Sequence, residues 1–466
     1  MMKLMAHQEE CVVRCLTMPG GGFLNRSEPG TGKTIMTIAA MDKLAHDKKI
    51  NRVLVICPNS VKNVWVDEIK KASSIQWNVI SLDGHSEHRN IKIKSSVKPL
   101  TVLIINYESV IRTEAALKEW APDLVVCDEA HLIKSHKAQR SKVIRKFKAK
   151  YRWALTGTPV TQSPLDVWSI IDWIRPGHLI PNFYAFRNRY CNIYTGAGFP
   201  VIKSYKNLDE LTKKIDEVSY IARKDECLDL PDKQWITRYV ELSPEEAKAY
   251  KAMASEMLLE VGEKEISAST ALVKLLRLQQ IANGFLTYLN EDEDEVGVDI
   301  GSSKMDALVE LLEELDMKKV VVWCRFKRDV MRISQALVKM KRPHVTFTGD
   351  TSIEDRAKAI SRFQADYDEK DINNGLVFVG TIQAGGVGIT LTAASYMIYY
   401  SNSWSLSDRI QSSDRIHRIG QVHKCVYYDL IARGTVDSRI HKILSSKEAI
   451  ADKLSGKDLS KIIFDN

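Results

Sequence analysis

Short β-branched runs, each followed by a stretch of helical periodicity, recur along this chain and leave it few architectures. They are "RVLVIC", "TVLIINY", "DLVVCDE" and "YRWALTG", then far downstream "KVVVWC", "HVTFTG", "GLVFVGT", "YMIYYS" and "CVYYDLI". Continuously apolar strands alternating with helices imply parallel sheets covered on both faces. Between the two groups, from Val160 to Lys318, the texture changes and is mostly helical. The expectation is an α/β protein of two parallel-sheet lobes with helical insertions between them. In that middle region Ser243, before Pro244 and with Glu246 three residues on, predicts a helix N-cap. The acidic tract "NEDEDEVGVDIGSS" that closes it reads as a flexible connector.

Composition narrows the function classes. The chain has 466 residues, and 67 basic against 59 acidic side chains give a net charge of +8, a mild lean towards polyanionic partners. Its start, "MMKLMAHQEECVVRCL", places Glu9, Glu10 and Arg14 where a signal peptide needs apolar residues. No apolar run of about 18 residues offers a membrane span. Eight cysteines without a C-x-x-C pair give no zinc knuckle or redox motif. They read as free thiols in a reducing compartment, the cytoplasm or, in a eukaryotic source, the nucleus.

The chemistry is concentrated in two places. "SEPGTGKT", Ser27 to Thr34, ends as a phosphate loop does, although Ser27 stands where the strict G-x-x-x-x-G-K-[ST] pattern has glycine. Gly30 and Gly32 let backbone N–H groups approach phosphates, with Thr31 between them. Lys33 reaches the β- and γ-phosphates, and Thr34 holds Mg²⁺. About a hundred residues on, "DLVVCDEAH" delivers Asp128 and Glu129 at the end of a buried strand. Asp128 suits the Mg²⁺ shell, and Glu129 suits orienting and deprotonating the attacking water.

A third feature, "QSSDRIHRIGQ", holds Arg415 and Arg418. A spacing of i, i+3 puts both guanidinium groups on one face of a helix. Charge spreading over a transferring γ-phosphoryl group is what such arginines stabilise. Lying in the second lobe, they are expected to reach ATP on the first when the lobes close.

These motifs, with others in order along the chain, resemble the Swi/Snf-type ATPases, the chromatin-remodeller-like branch of helicase superfamily two. "AHQ", "VLVICPNSVKNVWVDEI", "INYES", "DEAHLIKS" and "LTGTP" are similar to the family's early motifs. "SSKMDALVELL", "VVVWCRF", "FTGDTSIEDRAKAISRF", "TIQAGGVGITLTAAS" and "DRIHRIGQ" are similar to the later ones, and "RKDECLDLPDKQ" is particular to this branch. The chain departs from the family with "SEPGTGKT" for "DEMGLGKT" and "GVGITL" for "GxGLNL", without losing a reacting group.

The resemblance implies two RecA-like lobes that hydrolyse ATP with Mg²⁺ while tracking along double-stranded DNA. It implies a first lobe over 1–235, an insertion and linker over 236–302, and a second lobe over 303–466. It also implies that Gln8 reads adenine, and that Thr156, Thr158, Gly385, Gly386 and Gly388 couple nucleotide to the DNA track, Gly388 at the nucleotide itself. Contacts to the DNA backbone fall on Asn59, Ser60, Lys62, Asn106, Tyr107, Thr348 and Gln383, small polar groups and loop ends that grip phosphates without reading bases. Trp404 resembles a family tryptophan that leans on DNA, and packing in a core is an equal reading.

The basic stretch "KAQRSKVIRKFKAKYR" reads as a helix with Val143, Ile144 and Phe147 buried and a basic side outside, a solvated face with a second DNA contact as the alternative. Because the motifs run from Ala6 to Gln421, a compact monomeric motor is expected, targeted by a protein partner or by DNA structure. Two alternatives stay open: a strand-separating DNA or RNA helicase, and an ATP-gated clamp acting on a protein.

Overall fold

Every apolar run named above forms a strand. The computed structural model describes residues 3–157, 163–196, 199–228, 230–263, 268–289, 295–365, 375–385 and 388–454. The chain forms two units, one from the residues up to Asp229 together with those from Lys447 onward, the other Leu230–Ser446. Among the described residues no helix is long and apolar enough to cross a membrane.

The first unit is built on β1 (Gly22–Asn25), β2 (Arg52–Cys57), β3 (Asn78–Ser81), β4 (Thr101–Asn106), β5 (Leu124–Asp128) and β6 (Tyr151–Leu155). They pair in parallel in the order β3-β4-β2-β5-β6-β1, and the short strand Ser219–Tyr220 extends the sheet beyond β1. Val53 to Cys57, Val102 to Ile105 and Leu124 to Cys127 are buried throughout. This is what a sheet covered on both faces requires, and each enclosed Val, Leu or Ile contributes about 1.5–3 kcal/mol. Helices α1 (Ala6–Thr17), α2 (Lys33–His46) and α3 (Lys62–Ala72) belong to the same unit. In a parallel sheet every strand ends at the same edge, so the ends of β1, β2, β4, β5 and β6 share one rim.

The second unit has a parallel sheet ordered Lys233–Val240, Cys425–Ala432, Tyr396–Tyr399, Val320–Cys324, Val377–Thr381, His344–Phe347. The first of these crosses the expected boundary at 235. Its ladder to Cys425–Ala432 commits it, and the 236–302 segment after it, to the second unit rather than to a separate insertion. The capping box is present: Ser243 Oγ accepts from the Glu246 N–H at 3.2 Å, and Glu246 Oε2 accepts from the Ser243 N–H at 2.9 Å.

Two expectations need correction. The middle region also contains antiparallel hairpins, Cys191–Gly196 with Phe199–Tyr205 and Phe285–Leu289 with Glu295–Asp299. The second takes in part of the supposed acidic connector, because Arg328 Nη2 at 2.9 Å and Arg332 Nε at 3.4 Å hold Asp299. The basic stretch behaves as expected on its apolar side, with Val143, Ile144 and Phe147 buried. Its helix is short, Gln139–Ile144, and three of its cations pair with Glu108, Asp172 and Glu114.

A buried polar cluster joins the hairpin to the second sheet. Asn283 donates to Asp329 Oδ2 at 2.9 Å and accepts from Lys304 Nζ at 3.0 Å; Lys304 also pairs with Asp437. Ser401 donates to Asp329 at 2.9 Å, and Arg332 donates to the Asn283 carbonyl at 2.6 Å. Burial pushes the Asp329 carboxyl up to about 7, against the opposing pull of Ser401, Lys304 and Arg332. The folded chain therefore binds a proton here that the unfolded chain releases near pH 4. Stability is greatest below that pH and declines as pH rises towards 7, by at most about 4 kcal/mol from this group. Comparing urea unfolding of the protein with that of Asp329→Asn at pH 5 and pH 8 checks this: the loss on going to pH 8 should be smaller in the variant.

Candidate functional site

The phosphate loop joins β1 to α2. Gly30 (φ 87°) and Gly32 (φ 93°) take the left-handed conformation that glycine tolerates best. At Gly32 a Cβ would also lie 2.5 Å from Gln8 Nε2 and would have to displace that amide. Lys33 and Thr34 open the 14-residue helix α2, and Lys33 Nζ donates to the Ser27 carbonyl at 2.8 Å. N–H groups at the start of such a helix attract anions.

The departure Ser27 has a structural use, which Glu28 beside it shares. Ser27 Oγ accepts the Ala222 N–H at 3.0 Å, and Glu28 Oε2 accepts the Lys224 N–H at 3.0 Å. The front of the loop is thereby tied to the segment "ARKDE". Gln8 is also engaged: Oε1 accepts the Met5 N–H at 3.0 Å, and Nε2 donates to the Thr31 carbonyl at 3.2 Å.

At the end of β5, Asp128 Oδ2 accepts the indole N–H of Trp65 at 2.8 Å and Oδ1 accepts the Glu129 N–H at 3.0 Å. The packed surroundings and the charge of Glu129 push the Asp128 carboxyl up to about 6, with the Trp65 bond and Lys33 acting the other way. Glu129 is in the left-handed conformation (φ 52°), with Oε2 3.2 Å from His131 Nδ1. Between β5 and β1 lies β6, which leads into Thr156. The Thr156 N–H donates to the Asn25 carbonyl at 3.0 Å, and a Cβ on Gly157 would meet the Pro29 ring at 2.7 Å. Thr156 and Gly157, of "LTGTP", therefore lie against β1 and the phosphate loop. Thr158 lies outside the described residues.

In the second unit Arg415 and Arg418 meet, but not on a helix. The helix Leu406–Ser413 has ended, and the residues after it form turns. The helix reaches its C-cap at Asp414, and the bend after it brings both guanidinium groups to one acceptor. Each Nη1 donates to the Ile389 carbonyl, at 3.2 and 3.3 Å. Ile389 follows Gly388, an exposed residue at φ 76°. Gly385 is packed on Trp323, whose ring its Cβ would strike, and Gly386 lies outside the described residues.

A family model for the SNF2-related domain matches residues 7–285. The chain belongs to the SNF2-related family. A helicase conserved C-terminal domain matches residues 303–420. Over 98% of its length the chain is 28% identical to an uncharacterised ATP-dependent helicase of Mycoplasma genitalium, spanning 43% of that protein. Over 89% of its length it is 27% identical to the ISWI chromatin-remodelling complex ATPase ISW1 of Saccharomyces cerevisiae, spanning 37% of it. The chain thus spans less than half the length of these curated relatives. The solved SWI2/SNF2 ATPase core of Sulfolobus solfataricus in complex with dsDNA is 26% identical, with a TM-score of 0.46 and coverage of 98% of this chain and 94% of that one.

For this SNF2-related chain the expected DNA contacts divide. Asn59, Ser60 and Gln383 are exposed, and Asn106, Thr348 and Trp404 are half-buried. Two are corrected. Tyr107 is fully enclosed, and its hydroxyl donates to the Asp128 carbonyl at 2.6 Å, so it serves the end of β5 rather than the surface. Lys62 is buried, with its ammonium spent on Asp83.

Sequence reasoning missed Trp65, the donor to Asp128. Trp65 and Ile69, four residues apart, share the buried face of α3. The signal was the indole N–H, which must find a partner when its ring is buried.

Proposed function

We propose that the chain is an ATP hydrolase driven by double-stranded DNA, a Swi/Snf-type translocase that moves along the duplex and remodels or reanneals what it meets. The observation that carries this is the conjunction, in one sheet, of Lys33 and Thr34 at the start of α2 with Asp128 and Glu129 at the end of β5. The donor set fits Mg²⁺: a carboxylate and a hydroxyl are the hard oxygen ligands that ion takes. Bound there by Asp128 and Thr34, Mg²⁺ would neutralise charge on the β- and γ-phosphates.

The chain's own residues do the rest. Backbone N–H groups of Gly30 to Lys33 cradle the phosphates, and Lys33 moves from the Ser27 carbonyl to the phosphate oxygens. Glu129 aligns water and accepts its proton. Arg415 and Arg418 neutralise charge that grows on the transferring group. Gln8 uses one lone pair and one N–H on the main chain, which leaves one of each for the edge of adenine. Thr156, Thr158, Gly385 and Gly386 couple the nucleotide to DNA, with Gly388 beside the arginines.

Asn59, Ser60, Asn106, Thr348, Gln383 and Trp404 grip the DNA backbone. Family membership supports the nucleic-acid reading, as do the remodelling and helicase names of the relatives. Comparing ATPase rates with duplex, single-stranded and forked DNA and with RNA tests it. Stimulation chiefly by duplex is expected; stimulation only by forks or RNA would favour a strand-separating helicase, and none would overturn the reading. A motor gripping ~5–8 phosphates should also lose log affinity with log salt at a slope of roughly −5 to −7, largely regardless of sequence. Titrating labelled duplexes of two unrelated sequences over a salt series checks this.

A further inference from the structure

Asp128 is held at three atoms. Trp65 occupies Oδ2, the Glu129 N–H occupies Oδ1, and the Tyr107 hydroxyl occupies the carbonyl oxygen. Trp65 is 1% exposed and Tyr107 0%, so water offers neither a substitute partner. Each comes from a strand-end connection already assigned to DNA. Trp65 lies in α3 directly after the turn Asn59–Val61, and Tyr107 follows Asn106 at the end of β4.

We propose that Trp65 and Tyr107 are positioning residues that fix the Asp128 carboxylate for Mg²⁺ and tie it to the two loops that meet DNA. This rests on the reading of the chain as a DNA-driven ATPase. A carboxylate at a strand end can turn about two side-chain torsions. A donor on each oxygen sets that angle and still leaves each oxygen a lone pair for a cation or its water. Because a buried indole N–H without an acceptor is costly, a shift of α3 carries the carboxylate with it. Tyr107 does the same for the main chain of β5. Loops moved by DNA therefore move the metal ligand, and by linkage the nucleotide changes DNA affinity by the same factor.

The test uses the full chain and a fluorescent, non-hydrolysable ATP analogue, titrated with and without Mg²⁺ and with and without a duplex oligonucleotide. Trp65→Phe keeps most of the ring and removes the N–H. Its analogue affinity without Mg²⁺ should be preserved, while Mg²⁺ affinity should fall by about 10–100-fold, as for other outer partners of metal ligands. The factor by which DNA tightens the analogue should drop towards one, and the reciprocal factor should drop equally. A packing role alone would lower the unfolding midpoint and leave Mg²⁺ affinity and both factors unchanged, which overturns the proposal.

Tyr107→Phe removes a single hydroxyl, should shift the same quantities in the same direction, and decides the matter if Trp65→Phe does not fold. Should the unsubstituted chain bind the analogue but no DNA, the motor reading and the tie to DNA would both fall. The Mg²⁺ titration would still decide whether these side chains position Asp128.

Discussion

Glu129→Gln should leave ATP bound and reduce turnover by about 10²–10⁴-fold, the range that a positioned general base supplies. Gln keeps the length of the side chain and its contact surface, and Lys33, Thr34 and Asp128 still hold the nucleotide. The loss should therefore appear in kcat, with analogue affinity unchanged within a few-fold. Measuring both for the variant under saturating duplex DNA settles it: turnover near the unsubstituted rate would remove Glu129 from the role of base. Gln also tests whether the backbone conformation survives, since φ at this position is 52° and either side chain must bear the same strain.

Changing Arg415 or Arg418 to Ala should cost turnover about 10³–10⁵-fold, the worth of an arginine acting on a transferring phosphoryl group. ATP affinity should hardly change, because the ground-state contacts come from the phosphate loop. Lys at either position should rescue little, since an ammonium cannot present the planar fork of a guanidinium. Each side chain makes a part-buried bond to the Ile389 carbonyl, so loss of stability should be modest and unfolding midpoints should separate it from lost catalysis. If both Ala variants hydrolyse ATP at the unsubstituted rate, these arginines serve only the turn that holds them.

Much of the fold was legible because a strand buried on both faces leaves a continuous apolar run, as in "RVLVIC" and "KVVVWC". What escaped lacked that signature. β1 is four residues, Gly22–Asn25, half of them glycine and asparagine, and Lys233–Val240, at a sheet edge, sets polar pairs between apolar ones instead of running continuously apolar. The phosphate loop and the acidic pair were readable because their chemistry demands fixed residue types at fixed spacing. The arginine pair was found for its chemistry and misplaced in its backbone, since periodicity cannot show that a helix stops at Ser413. Tyr107 and Lys62 were assigned to the surface by position in a motif. Only packing shows that their polar ends are taken, by the Asp128 carbonyl and by the Asp83 carboxylate.

The strand order of the first sheet also bears on how the chain matures during synthesis. β1 is made early, yet its two neighbours are β6 and Ser219–Tyr220. Until Tyr151–Leu155 has emerged from the ribosome, the strand feeding the phosphate loop has an open edge on both sides. Pairings so distant in sequence form slowly and leave such edges exposed to other chains. The phosphate loop therefore takes shape only after the whole span carrying Asp128 and Glu129 has been translated, and a nascent chain interrupted before β6 can gain no help from nucleotide in folding.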